Sequence, residues 1–121
     1  MTEVPNSKRY DLEERTYCFA EECRNFVRLL PRNIHNLEYS RQLIRSSGSQ
    51  AANYIEANES LSKKDFSHRV KICRKEVKES CLWLKLCDIG DGLDLKNPQD
   101  KLIKEGLELK KIFSSIVDKS S

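Results

Sequence analysis

The chain has 121 residues, of which 34% are charged and four are glycine, and its formal net charge is +3. That length gives one domain able to bury a core without disulfides or metal, and the composition suits solvated helices rather than a β-sandwich. No apolar run approaches the ~20 residues of a membrane span and no signal-peptide pattern opens the chain, so a cytoplasmic protein without membrane contact is expected.

Residues 1–9 read as a flexible tail ahead of a single domain over 10–119. The first helix is predicted from about Asp11 to Leu30. Leu12, Thr16, Phe19, Cys23, Phe26 and Leu30 alternate in steps of four and three, the seam of a helix packed on others. Pro31 ends it, because proline lacks an N–H and crowds the preceding turn.

The second helix is predicted from about Asn36 to Asn58, with Leu37, Ile44, Ala51, Ile55 and Tyr54 turned inward. Its middle, from Ser46 to Ala52, is made of small residues around Gly48. Glycine costs about 1 kcal/mol of helix propensity against alanine. A close helix–helix crossing at Gly48 and Ala51 is therefore expected.

The third helix starts at Ser62, an N-cap followed by Asp65 at the third helical position. Phe66, Val70, Cys73, Val77, Cys81 and Leu84 form its seam, and it is predicted to reach Ile89. Gly90-Asp91-Gly92 breaks it. The fourth helix is predicted to begin after Asn97, with Pro98 first in the helix and a seam of Leu102, Leu109, Phe113 and Ile116. Gly106 allows close approach, and Ser120 and Ser121 are expected to fray. Short loops make neighbours antiparallel, giving an all-α, up-and-down four-helix bundle.

Charge is not spread evenly. Residues 63–89 hold eight basic and four acidic side chains, a local +4, while the flanking segments are balanced or slightly acidic. Lys64, Lys71, Lys78 and Lys85 recur every seven residues on one drifting stripe, flanked by Arg74 and Lys75. Such a ridge, with few acids at i+4, fits phosphate contacts or a merely solvated face. Without interleaved aromatics it does not favour base stacking. On the opposite flank, Ile72, Trp83 and Leu86 stand among Asp65, Glu76 and Glu79. These three mark either a subunit interface or a wide internal core.

Signals for catalysis are weak. No Glu-x-x-His occurs, and His35 and His68 stand alone, so no metal ligands are assigned. Cys18, Cys23, Cys73, Cys81 and Cys87 show no C-x-x-C pair and read as reduced core thiols. Asn53 and Glu56 share one turn and could join Arg41, Arg45 or Arg74 in a structural polar cluster. Arg28 and His35, with six residues between them, echo a helical ribonuclease spacing, but Pro31 interrupts the helix there. No phosphate loop and no nucleophile with a visible base is present. No catalytic residue and no cofactor is expected.

The run from Ile44 through Arg45, Ser49, Asn53 and Glu56 to Glu59 is distinctive. So is its continuation through Lys63, Lys64, Asp65, Phe66, Arg74, Glu76 and Glu79 to Leu84. Together they resemble the bacterial four-helix bundle proteins named after the 23S rRNA intervening sequence, the S23 family, over residues about 10–118. Ala57 departs from the glycine many relatives place after the glutamate. The resemblance implies a homo-oligomeric ring, a pentamer, with no established enzyme activity and an RNA connection carried by the name. Accessory proteins of diversity-generating retroelements, basic pentameric bundles that work with a reverse transcriptase, look similar at the level of fold alone. The leading reading is a non-enzymatic RNA- or DNA-binding helper. The alternatives are a protein-interaction scaffold or reverse-transcriptase accessory protein and, less favoured, a helical ribonuclease.

Overall fold

The computed structural model describes residues 8–91 and 94–120. Four helices follow one another: α1 (Lys8–Leu29), α2 (Ile34–Asn58), α3 (Lys63–Leu86) and α4 (Lys96–Ser120). Each packs on its chain neighbour, and α1 closes the ring of four against α4.

The direction of packing is visible in cross-helix bonds. As the partner on α2 advances from Asn36 to Arg45 to Asn53, its partner falls back from Asp88 to Glu79 to Arg69. Likewise Cys81 meets Ile103 while Leu84, further along α3, meets Gln99. These neighbours are antiparallel, as short loops require.

α1 buries Leu12, Thr16, Phe19, Cys23 and Phe26, and buried Leu30, one residue past its end at Leu29, completes the expected seam. It begins at Lys8, so Lys8 and Arg9 belong to the helix and not to the tail, and no proline or glycine lies between Lys8 and Asp11 to stop it. Residues 1–7 of the expected tail lie outside the described residues.

α2 is rotated from its expected register. Leu37, Ile44 and Ile55 are 51%, 48% and 47% exposed, while Asn36, Leu43, Ser46, Ser47, Gln50, Tyr54 and Ala57 face the core beside Ala51. Hydrogen bonds make this polar seam tolerable. The Gln50 amide donates to the Thr16 carbonyl at 2.7 Å and to that of Ser47 at 3.1 Å, and Ser46 and Ser80 hydroxyls meet at 2.7 Å. Asn36 donates to the Pro31 and Asp88 carbonyls and accepts from the Asp88 N–H, locking the α1–α2 loop to the end of α3. Asn33 caps the helix by accepting from the Asn36 N–H.

Rotation also overturns the expected crossing at Gly48. A methyl group there would meet no atom within 4 Å. Gly106 does mark a close approach: its added Cβ would lie 2.6 Å from Cys81 Sγ and 3.4 Å from Phe19 Cζ, where α4 presses onto α3 and α1.

α3 buries its expected seam from Val70 to Leu84, with Phe66 half-buried, and Ser62 accepts from the Asp65 N–H as its N-cap. It stops at Leu86 rather than Ile89. Gly90 follows at φ 77°, a left-handed conformation suited to glycine; Gly92 lies outside the described residues. α4 starts at Lys96, so Pro98 is its third residue, still inside the first turn where its missing N–H costs nothing. Ile116 is half-buried, with Val117 filling the core beside it, and Ser120 is helical, its hydroxyl donating to the Ile116 carbonyl. Ser121 lies outside the described residues. Among the described residues no helix is long and apolar enough to cross a membrane.

Candidate nucleic-acid interface

The core seam of α3 decides where its other side chains go. With Val70, Cys73, Val77 and Leu84 inward, a turn of 100° per residue sends Lys64, Lys71, Lys75 and Lys78 outward, and all four are exposed, as is Lys85. Arg74, closer to the α4 side, is half-buried. Among the described residues none of these six side chains makes an ion pair. Steps of seven residues space Lys64, Lys71, Lys78 and Lys85 about 10 Å apart, so the ridge runs roughly 30 Å along the bundle.

The ridge does not end on α3. Burial raises the pKa of the Cys81 thiol, and the ammonium groups of Lys85 and Lys110 both oppose that rise. Lys110 of α4 thus lies within electrostatic reach of the same thiol and adds positive charge on the α4 side of α3. Sequence reasoning missed it because residues 90–121 are charge-balanced as a segment; only the fold brings this lysine beside α3.

The other flank of α3 faces α2. Arg45 Nη2 donates to Glu76 Oε1 at 3.1 Å and to Glu79 Oε1 at 2.8 Å, bridging the two helices. The Glu76 side chain is 8% exposed and that of Arg45 49%, so the ion pair is buried at one end and wet at the other. Asn53 donates to the Ser49 carbonyl and hydroxyl and accepts from Arg69 Nη1 at 3.0 Å. The polar motif thus forms two α2–α3 bridges. Arg69 serves where Arg41, Arg45 or Arg74 was expected to meet Asn53, and Glu56 is exposed. Trp83 is half-buried and stacks on Tyr39, ring centroids 6.2 Å apart at 26°; Ile72 is half-buried and Leu86 exposed.

His35 and Arg28 do not form a visible catalytic pair. Arg28 lies in the last turn of α1, and His35 Nε2 is 3.1 Å from Asp88 Oδ2 across the bundle end. The Gly90 N–H and then His35 hold the Asp88 carboxyl below the usual carboxylate range. Cys23, Cys73, Cys81 and Cys87 are buried and Cys18 is half-buried; all five are free thiols. Burial pushes Cys73 up to about 12 and Cys87 up to about 11, and raises Cys23 further. Among the described residues no three His, Cys, Asp or Glu side chains gather as a metal would require.

An antiparallel bundle with polar α2–α3 bridges and a basic outer helix face defines an all-helical protein. The family model described as 23S rRNA-intervening sequence protein matches residues 8–115, and the chain belongs to that family. A crystal structure from Bacteroides thetaiotaomicron is similar: a protein of unknown function from the S23 ribosomal protein family. It is 26% identical with a TM-score of 0.73, over 88% of this chain and 97% of that one. No curated protein matches the chain.

Proposed function

We propose that this protein is a non-enzymatic, cytoplasmic helper that holds the phosphate backbone of RNA or DNA on the outer face of α3. The observation that carries this is the row of exposed lysines Lys64, Lys71, Lys75, Lys78 and Lys85, none of them neutralised by an ion pair among the described residues. A surface that needed only solubility would gain nothing from keeping one sign of charge together; a polyanion gains counterion release at each contact. The 23S rRNA connection in the family's name, with the S23 ribosomal wording of the similar structure, points the same way. Arg74 and Lys110 flank the row and would hold the strand laterally. Lysines read charge rather than base edges, so binding is expected to be insensitive to sequence.

Fluorescence anisotropy with a labelled RNA tests this at two salt concentrations. Wild type is expected to lose affinity steeply with salt, with a log–log slope of about −0.7 to −0.9 per neutralised phosphate. Lys71→Glu/Lys78→Glu should bind more weakly and with a shallower slope, at unchanged helicity. If the folded double variant binds RNA and DNA as wild type does, the ridge is a solvated face. A pull-down that instead selects an acidic protein through the same lysines would replace this reading with the scaffold one.

A further inference from the structure

Which form of nucleic acid suits the α3 surface follows from what stands beside its lysines and from how they are spaced. Proteins that hold single strands add rings on which successive bases stack. Among the described residues α3 offers no such platform. Phe66 is half-buried against the core, and half-buried Trp83 is stacked on Tyr39 of α2. His68 is exposed beside the row, but one ring cannot hold successive bases. On α4, which packs along the other side, the ring of Phe113 is buried.

The row is also rigid and one-sided. α3 is helical without a break from Lys63 to Leu86, so Lys64, Lys71, Lys78 and Lys85 keep steps of about 10 Å over a run of about 30 Å. A flexible strand would have to be straightened to match that run, and it would gain no stacking in return. A duplex has its phosphates fixed beforehand. A helix that enters the major groove meets phosphates on both of its sides. Here the side of α3 toward α2 carries Asp65, Glu76 and Glu79, turned about 80–140° from Lys71.

Granting the phosphate contacts proposed above, on which this rests, we propose that the ligand is double-stranded nucleic acid, with α3 lying across the two sugar–phosphate backbones rather than inside a groove. Phosphates that face each other across a minor groove about 6 Å wide are about 12 Å apart between centres, close to one seven-residue step and within reach of flexible lysine stems. The whole run approaches the ~34 Å of one duplex turn, so a single pass along α3 meets both strands. Lys110 adds charge on the α4 side, and Lys119 of α4 lines, with Lys63, the shallow depression at the start of α3. Charge density favours the duplex too. Contacts by the five exposed lysines of the row give a log–log salt slope of about −4.5 on a duplex and about −3.5 on a single strand, and from 1 M down to 0.1 M salt that difference amounts to about tenfold. Lysines do not read the 2′-hydroxyl, so RNA and DNA duplexes should bind alike.

Competition anisotropy on the full chain tests this with three probes: an RNA duplex of about 20 base pairs, a uridine single strand of about 40 nucleotides with a similar number of phosphates, and a hairpin of about 5 base pairs, shorter than the ridge. At about 0.1 M salt the long duplex should bind about tenfold more tightly than the single strand, with a salt slope steeper by about one. The hairpin should bind about tenfold more weakly than the long duplex, and a DNA duplex of equal length within about threefold of the RNA. Lys71→Glu/Lys78→Glu, at unchanged helicity, should weaken duplex binding. A single strand bound as tightly as the duplex, or a hairpin bound as tightly as the long duplex, with binding still lost in the double variant, overturns the duplex proposal and leaves the phosphate contacts standing. Binding to none of the probes, or binding that the double variant does not weaken, overturns both.

Discussion

The same substitution, glycine to alanine, should change stability in opposite directions at the two mid-helix glycines. At Gly48 the new methyl meets nothing within 4 Å, so only the helix-propensity gain remains. That gain is about 1 kcal/mol, and for a chain of this size it corresponds to roughly 3–6 °C in Tm. At Gly106 the propensity gain is the same, but the methyl falls 2.6 Å from Cys81 Sγ and 3.4 Å from Phe19 Cζ. Overpacking of that kind costs about 1–3 kcal/mol, so the net effect should be a loss of up to about 2 kcal/mol. Because the clash is chiefly with one sulfur, Cys81→Ala should absorb it. The double variant Cys81→Ala/Gly106→Ala should then be more stable than the two single losses add up to, with a coupling of about 1–2 kcal/mol. Urea unfolding followed by circular dichroism, run on dilute protein so that association plays no part, gives all four values. Two stabilised single variants, or no coupling between positions 81 and 106, would refute the packing argument.

Two further outcomes follow from the buried polar and sulfur groups. Arg45→Met should destabilise by about 1–2 kcal/mol, less than the 3–5 of a fully buried pair because the guanidinium is half in solvent, and Glu76→Gln in that background should recover part of the loss; the urea midpoint at constant m-value checks it. Native protein treated with a water-soluble maleimide should label Cys18 first, with Cys23, Cys73, Cys81 and Cys87 protected by burial until denaturant is added; intact mass spectrometry counts the adducts, and fast labelling of all five would contradict the packing.

Much of the architecture was legible along the chain. In α1, α3 and most of α4 the seam that periodicity selects is the buried one. α2 differs because it carries two candidate seams. Leu37, Ile44 and Ile55 are the more hydrophobic set, and periodicity selects them. The buried set, running through Asn36, Leu43, Ser47, Gln50, Tyr54 and Ala57, keeps the same three- and four-residue steps but is half polar. Its spacing could have been noticed, yet its polarity argued against burial. What makes it inner is the supply of partners from other helices, the Thr16 carbonyl, the Ser80 hydroxyl and the Asp88 backbone. At the candidate interface the lysine row was readable from its seven-residue repeat, whereas Lys110 and the exchange of Arg69 for the expected arginines were not.

The sequence by itself therefore determined the number of helices, their order, the Ser62 cap, the breaks around Pro31 and Gly90, and the sign of the charge on α3. Those follow from neighbours along the chain: capping side chains, proline and glycine, and the 3.6-residue period. Only the tertiary structure decided which face of α2 is inside, which glycine is crowded, and which lysine of α4 joins the ridge. Each of these depends on atoms 25 or more residues apart in the chain, or on hydrogen bonds between helices. One-dimensional hydrophobicity carries no information about a partner that arrives from elsewhere in the fold.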